Sequence, residues 1–85
     1  MHRPGKLLTI ANARSELEAG LAAIGRGESE VDLGEVTEVD STAVATLLAW
    51  QRAARQQGHA LQVRNAPAGV QSLARLYGVD GLIGA

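Results

Sequence analysis

Apolar residues in this chain change period repeatedly, and glycine or proline marks nearly every change. Short strand-like runs give way to longer stretches with apolar residues three and four apart. Leu7, Leu8 and Ile10, with Thr9, mark a first strand from Lys6 to Ala11. A helix then starts at Asn12 or Ser15. Ser15-Glu16-Leu17-Glu18 fits a capping box, in which hydroxyl and carboxylate each satisfy an orphan backbone amide. Leu17, Leu21 and Ile24 fall on one face of this helix, and Gly25 and Gly27 end it.

Glu30 to Gly34 reads as a second strand, with Val31 and Leu33 alternating with Asp32. Val36 and Val39 carry the apolar theme through an irregular segment from Glu35 to Asp40. A long helix opens at Ser41 and runs to about Gln57, with Val44, Leu47, Leu48 and Ala54 as its buried stripe and Gly58 as its stop. Ala60 to Arg64 is a third strand, Leu61 and Val63 pointing inward. Pro67 suits the first turn of a last helix, where a missing amide hydrogen costs nothing. Val70, Leu73, Ala74 and Tyr77 repeat at helical spacing before Gly78, and Val79 to Ile83 is a short apolar tail, a fourth strand by its composition. The order β-α-β-α-β-α predicts an α/β fold: a small sheet of three or four mostly parallel strands with helices packed on it.

At 85 residues the expectation is one domain spanning 1–85. A domain of this size buries only about 60% of the surface its unfolded chain exposes, so its stability margin is thin. Trp50 and Tyr77 are the aromatic side chains, so Leu, Val, Ile and Ala must build the core. The formal net charge is -1 and the arginines are scattered, which gives no electrostatic footprint for nucleic acid. The absence of cysteine removes disulfides, thiolate catalysis and Cys-based zinc sites. No run of about 18 apolar residues is present to span a membrane, and Met1 to Gly5 is not followed by the apolar region of a signal peptide. The expected location is the cytoplasm.

The search for chemistry finds little. His2 sits at a terminus with little to hold it, and His59 follows Gly58 in a loop. Neither histidine has a reason to converge on Ser41. No metal-ligand spacing and no glycine-rich phosphate loop occurs, so no cofactor and no enzyme activity are expected. The informative stretch is Val39-Asp40-Ser41-Thr42-Ala43-Val44, where a loop becomes the longest helix. Asp40 or Ser41 serves there as an N-cap, and Asp40 also complements the positive end of the helix dipole. The same place suits phosphorylation of Ser41, which would add about two negative charges beside Asp40.

These residues carry a resemblance. Val31-Asp32-Leu33, Val36 to Val39, and Asp40-Ser41-Thr42-Ala43 with the following helix resemble the STAS domain family. That family includes bacterial anti-sigma-factor antagonists and cytoplasmic domains of sulfate transporters. Gln57-Gly58, Leu61-Gln62-Val63, Asn65-Ala66-Pro67 and Leu73 to Val79 match the rest of its fingerprint, so the resemblance covers Glu30 to Ile83. Within the family, Leu47-Leu48-Ala49-Trp50-Gln51-Arg52-Ala53-Ala54-Arg55 and Leu73 to Gly78 look most like the STAS subunit of the Mla phospholipid transporter, the bacterial ABC system that maintains outer-membrane lipid asymmetry.

The resemblance implies a non-catalytic accessory subunit that binds the transporter's ATPase, peripheral to the inner membrane through that partner. Asp40, Ser41 and Thr42 would form the tip of the docking face. Ala45, Thr46 and Ala49 are small enough to let a partner helix approach. Trp50 would either anchor the interface, as tryptophan often does, or pack against the last helix. The other function implied is an anti-sigma-factor antagonist switched by phosphorylation of Ser41. Ala43 departs from the family's usual glycine, which alters the turn that a kinase would read. The N-terminus is also shorter than is usual in the family. The sheet edge near Lys6 to Ala11 is therefore expected to be open, a place for a second copy or a partner strand to pair.

Overall fold

A computed structural model describes residues 1–79. Among them the order is β1 (Leu7–Leu8), α1 (Ala13–Gly25), β2 (Glu30–Asp32), β3 (Glu38–Val39), α2 (Ser41–Gln56), β4 (Gln62–Arg64) and α3 (Ala68–Leu76). The α/β class and the parallel pairing agree with the alternation of strand and helix signals. The segment Glu35 to Asp40 differs from expectation, because it contains the short strand β3. The tail from 80 onward, read as a fourth strand, lies outside the described residues.

All pairings are parallel. β2 pairs with β4, with Val31 opposite Val63, and β1 pairs with β3, with Leu8 opposite Val39. His2 also bridges Val31, so the N-terminal segment follows the chain from β2 to β3. Between the two contacts the second segment is longer, and its extra length forms a turn closed by the Val36 amide on the Leu33 carbonyl at 3.0 Å. At its far end the Lys6 carbonyl accepts from the Thr37 and Glu38 amides. His2 is therefore held firmly, contrary to expectation.

The first strand is shorter than its apolar residues suggest. Asn12 ends it: its Nδ2 donates to the Leu7 carbonyl at 2.7 Å and its Oδ1 accepts from the Thr9 amide at 3.1 Å. The turn these bonds close throws Ile10 to the surface, where it is 75% exposed. The edge left open by β1 is two residues long, and a short edge is a poor template for pairing.

Helix α1 also starts differently. Asn12 is its N-cap residue, without a side-chain cap bond, and Ser15 lies inside the first turn with its hydroxyl donating to the Asn12 carbonyl. The capping box does not form, because Ser15 is already helical and cannot take the extended cap conformation. The inward face of α1 is Gly20, Ala23 and Ile24 with Leu17 half-buried, while Leu21 is 37% exposed. Gly20 displaces Leu21 from the core because a Cβ at position 20 would run into the Trp50 ring. A helix with no side chain at that point lets the largest ring of the core lie flat against its backbone.

The described strands form two two-stranded parallel sheets, β1-β3 and β2-β4, where one sheet of three or four strands was expected. The core of Leu8, Ile24, Val31, Leu33, Leu47, Trp50, Val70 and their neighbours lies among them and the three helices. Two polar ties brace it, one inside and one at the surface. Gln51 Oε1 accepts from the Leu61 amide at 2.8 Å, so α2 fixes the entry to β4. At the carboxyl end of β2, Asp32 Oδ1 accepts from the Gly34 amide at 2.8 Å and from Asn65 Nδ2 at 3.1 Å. Asn65 has φ 57, a left-handed conformation that asparagine tolerates better than most residues. These bonds hold the Asp32 carboxyl below its ordinary range, the Asn65 amide contributing most.

Candidate functional site

The first half of α2 is fixed by one carboxylate. Asp40 has extended backbone, φ -136 and ψ -170, and its Oδ1 accepts from the Thr42 amide at 2.9 Å. The Thr42 hydroxyl donates to the same oxygen. The other oxygen, Oδ2, accepts from the Ile10 amide at 2.9 Å. One side chain therefore caps α2 and fastens the turn after β1 to it. These donors hold the Asp40 carboxyl below its ordinary range, the Thr42 hydroxyl contributing most and the Ile10 amide next. Of the two candidate caps, Asp40 fills the role. Ser41 is the first helical residue, and it is exposed.

The residues expected on the docking face divide into two groups. Asp40 and Thr42 are half-buried at the tip, Ser41 and Ala45 are exposed, and Ala49 is half-buried further along. Thr46 is buried, with its hydroxyl donating to the Thr42 carbonyl at 2.9 Å. Trp50 is a core residue: it is 0% exposed, so it offers no surface for an interface anchor. It does not lie against the last helix alone. Its ring contacts Gly20, its Nε1 donates to the Leu17 carbonyl at 3.1 Å, and the His2 ring meets it edge-on at 5.3 Å. Placing a tryptophan inside costs little here because its one polar atom finds an acceptor. His2 Nε2 in turn lies 3.3 Å from Glu16 Oε1.

Ala45 stands on a ridge between two apolar grooves. One, of about 320 Å³, runs between α1 and α2, with Arg14 at its edge and Ala13, Leu17, Ala45, Thr46 and Ala49 among its lining. The other, of about 330 Å³, lies on the opposite flank between α2 and the end of α3, lined by Ser41, Val44, Ala45, Leu48, Tyr77 and Val79. Small side chains on α2 make both grooves. The surface is shallow and apolar, suited to receiving a protein segment, and it lacks the convergent polar groups of a small-molecule site. Among the described residues no group of three or more His, Asp or Glu side chains is placed to hold a metal ion.

Tyr77, which repeats at helical spacing with Val70, Leu73 and Ala74, is 55% exposed and forms one wall of the second groove. The helix ends at Leu76, and Gly78 at φ 71 turns the chain away, so Tyr77 caps the helix outside its inward face. The glycine immediately after it was the available signal. Leu48, expected in the buried stripe, is half-buried and lines the same groove.

Comparison with known proteins bears on the whole chain. The family model described as Mlab, STAS domain matches residues 7–84. No curated protein and no solved structure matches the chain.

Proposed function

Because the chain belongs to the STAS domain family, matching its Mlab description over nearly all its length, we propose that it is an accessory subunit that docks on the ATPase of an Mla-type phospholipid ABC transporter and supports its assembly or activity. STAS domains are generally non-catalytic. In the proposed role the protein is cytoplasmic and reaches the inner membrane only through its partner. The observation that carries the reading is the ridge of Ser41 and Ala45 between two apolar grooves. Asp40 braces that ridge by bonding both α2 and the turn after β1. A helix or loop of the ATPase would bury the ridge without entering the core.

The test is affinity capture from lysate of the source cells with mass spectrometry, comparing wild type with Ala45→Arg and Ser41→Glu. Capture of an ABC ATPase by wild type and its loss with Ala45→Arg supports the proposal. An ATPase retained by Ala45→Arg, or none captured by wild type, contradicts it.

One observation favours a second reading, an anti-sigma-factor antagonist. The Ser41 hydroxyl is exposed and free of the capping role, hence accessible to a kinase. Against it, the Asp40 carboxylate already takes the Thr42 amide that would stabilise a phosphate, and would repel that phosphate. Capture of a serine kinase together with a sigma-factor regulator is the result that selects this reading.

A further inference from the structure

The second groove does not stop at Leu48. A further depression of about 200 Å³ begins at the same Leu48 and continues along α2 between Gln51, Arg52 and Arg55. The two share Leu48 and follow one another at helical spacing along one flank of α2, a path we call the channel. From Ser41 to Arg55 the helix rises about 21 Å at 1.5 Å per residue, or four turns. The floor is apolar at one end, with Val44, Ala45 and Leu48 beside Tyr77, and cationic at the other.

The charges are arranged unevenly. Arg3 pairs with Asp32, Arg14 with Glu18, Arg26 with Glu28 and Arg64 with Glu30. Among the described residues Lys6, Arg52, Arg55 and Arg75 have no such partner, and two of these four lie together at one end of this flank of α2. Both are exposed. Neighbouring guanidinium groups with no carboxylate between them repel one another and attract an anion.

We infer that the channel receives an amphipathic helix of the partner protein, about four turns long, whose apolar stripe covers Leu48 and Tyr77 and whose acidic end lies over Arg52 and Arg55. The inference rests on the docking reading above and adds the partner's chemistry and direction to it. The carboxylates supply the missing half of the ion pairs. Their placement at one end sets which way the segment runs, because the opposite direction would put them beside Asp40.

The test uses the full chain and two designed helical peptides of about sixteen residues, long enough to span the channel. They share one leucine and alanine stripe. One carries a glutamate pair at a single end and the other a lysine pair at that end. Binding is followed by amide chemical shifts in two-dimensional NMR. The glutamate peptide is expected to shift Val44, Leu48, Arg52, Arg55 and Tyr77, and to bind about tenfold more tightly than the lysine peptide. Most of that preference should disappear between low and high salt. In the double variant Arg52→Glu, Arg55→Glu the preference should invert, with an unchanged melting temperature showing an intact fold.

Equal affinity for the two peptides, binding of neither, or an unchanged preference in the double variant overturns the inference. Two further results would also overturn it. One is binding of wild type, but not the double variant, to phosphatidylglycerol vesicles while both peptides leave α2 unshifted. The other is self-association that the double variant abolishes, which would make a second copy the occupant. ATPase capture separates this inference from the reading beneath it. If the ATPase is lost with Ala45→Arg and kept by the double variant, the docking face stands and the acidic helix falls.

Discussion

On its inward side α2 presents Ala43, Leu47, Trp50 and Ala54, none more than 4% exposed. On its outward side the same helix presents Ser41, Ala45, Arg52 and Arg55, all exposed. The inward face is specific and crowded. Trp50 fits only because Gly20 has no side chain, and its indole N–H finds a second-donor place on the Leu17 carbonyl. The outward face is smooth, with small residues above two grooves and two arginines at one end. In the proposed role stability and docking reside on opposite sides of one helix, and substitutions should separate them.

The largest effect is expected inside. Trp50→Ala removes the biggest core side chain and its hydrogen bond to the Leu17 carbonyl. It should cost about 3–5 kcal/mol, as aromatic truncations in cores do. For a small domain with a margin of about 5 kcal/mol or somewhat more, much of the chain would be unfolded. Urea unfolding followed by circular dichroism measures this. Gly20→Leu should do comparable damage, since the added side chain meets the ring on one side and its own helix on the other. A Gly20→Leu protein as stable as wild type would contradict the packing described here.

A smaller effect is expected at the tip. Asp40→Ala removes the cap of α2 and the tie to Ile10, and should lower the melting temperature by about 5 °C. The acid side of the stability profile reports on the same group. Asp40, Asp32, Glu28 and Glu30 all have carboxyls held below their ordinary range by hydrogen bonds. A carboxylate with a depressed folded-state pKa contributes stability that is fully present above its unfolded value, about 4, and lost as pH falls toward the folded value. The melting temperature should therefore hold from pH 7 to about pH 5 and decline below about pH 4. Asp40→Ala should reduce that decline without abolishing it, because three of the carboxylates remain.

Much of this organisation was legible in the sequence, for reasons that particular residues make clear. Gly58 and Pro67 bracket β4 correctly, and the apolar period of α2 places Val44, Leu47 and Ala54 inside. The tip of α2 was legible because Asp40 is a good cap and acts over two residues. What escaped depends on partners distant in sequence. Trp50 looks the same to a sequence reading whether it is anchor or core, and Gly20, thirty residues earlier, decides which. Leu21 looks like a core residue until Gly20 takes the contact. β3 was missed because its two residues, Glu38 and Val39, show no alternation, and their pairing is dictated by Leu7 and Leu8. His2 is ordered by Val31, Trp50 and Glu16, none of them its sequence neighbours. The grooves arise only when α1, α2 and the end of α3 are set side by side.

The smallest expected effect on stability belongs to the outward face, where the proposed role predicts the greatest functional consequence. Ala45 is exposed and makes no bond that the fold requires, so Ala45→Arg should change stability by no more than about 0.5 kcal/mol. The long side chain would stand on the ridge between the grooves and obstruct a partner. The decisive measurement is therefore ATPase capture by Ala45→Arg, run beside its urea unfolding curve. An unfolding curve that overlays wild type together with loss of the ATPase is the expected result. An overlaid curve with the ATPase still bound would show that the outward face of α2 is not where the partner docks.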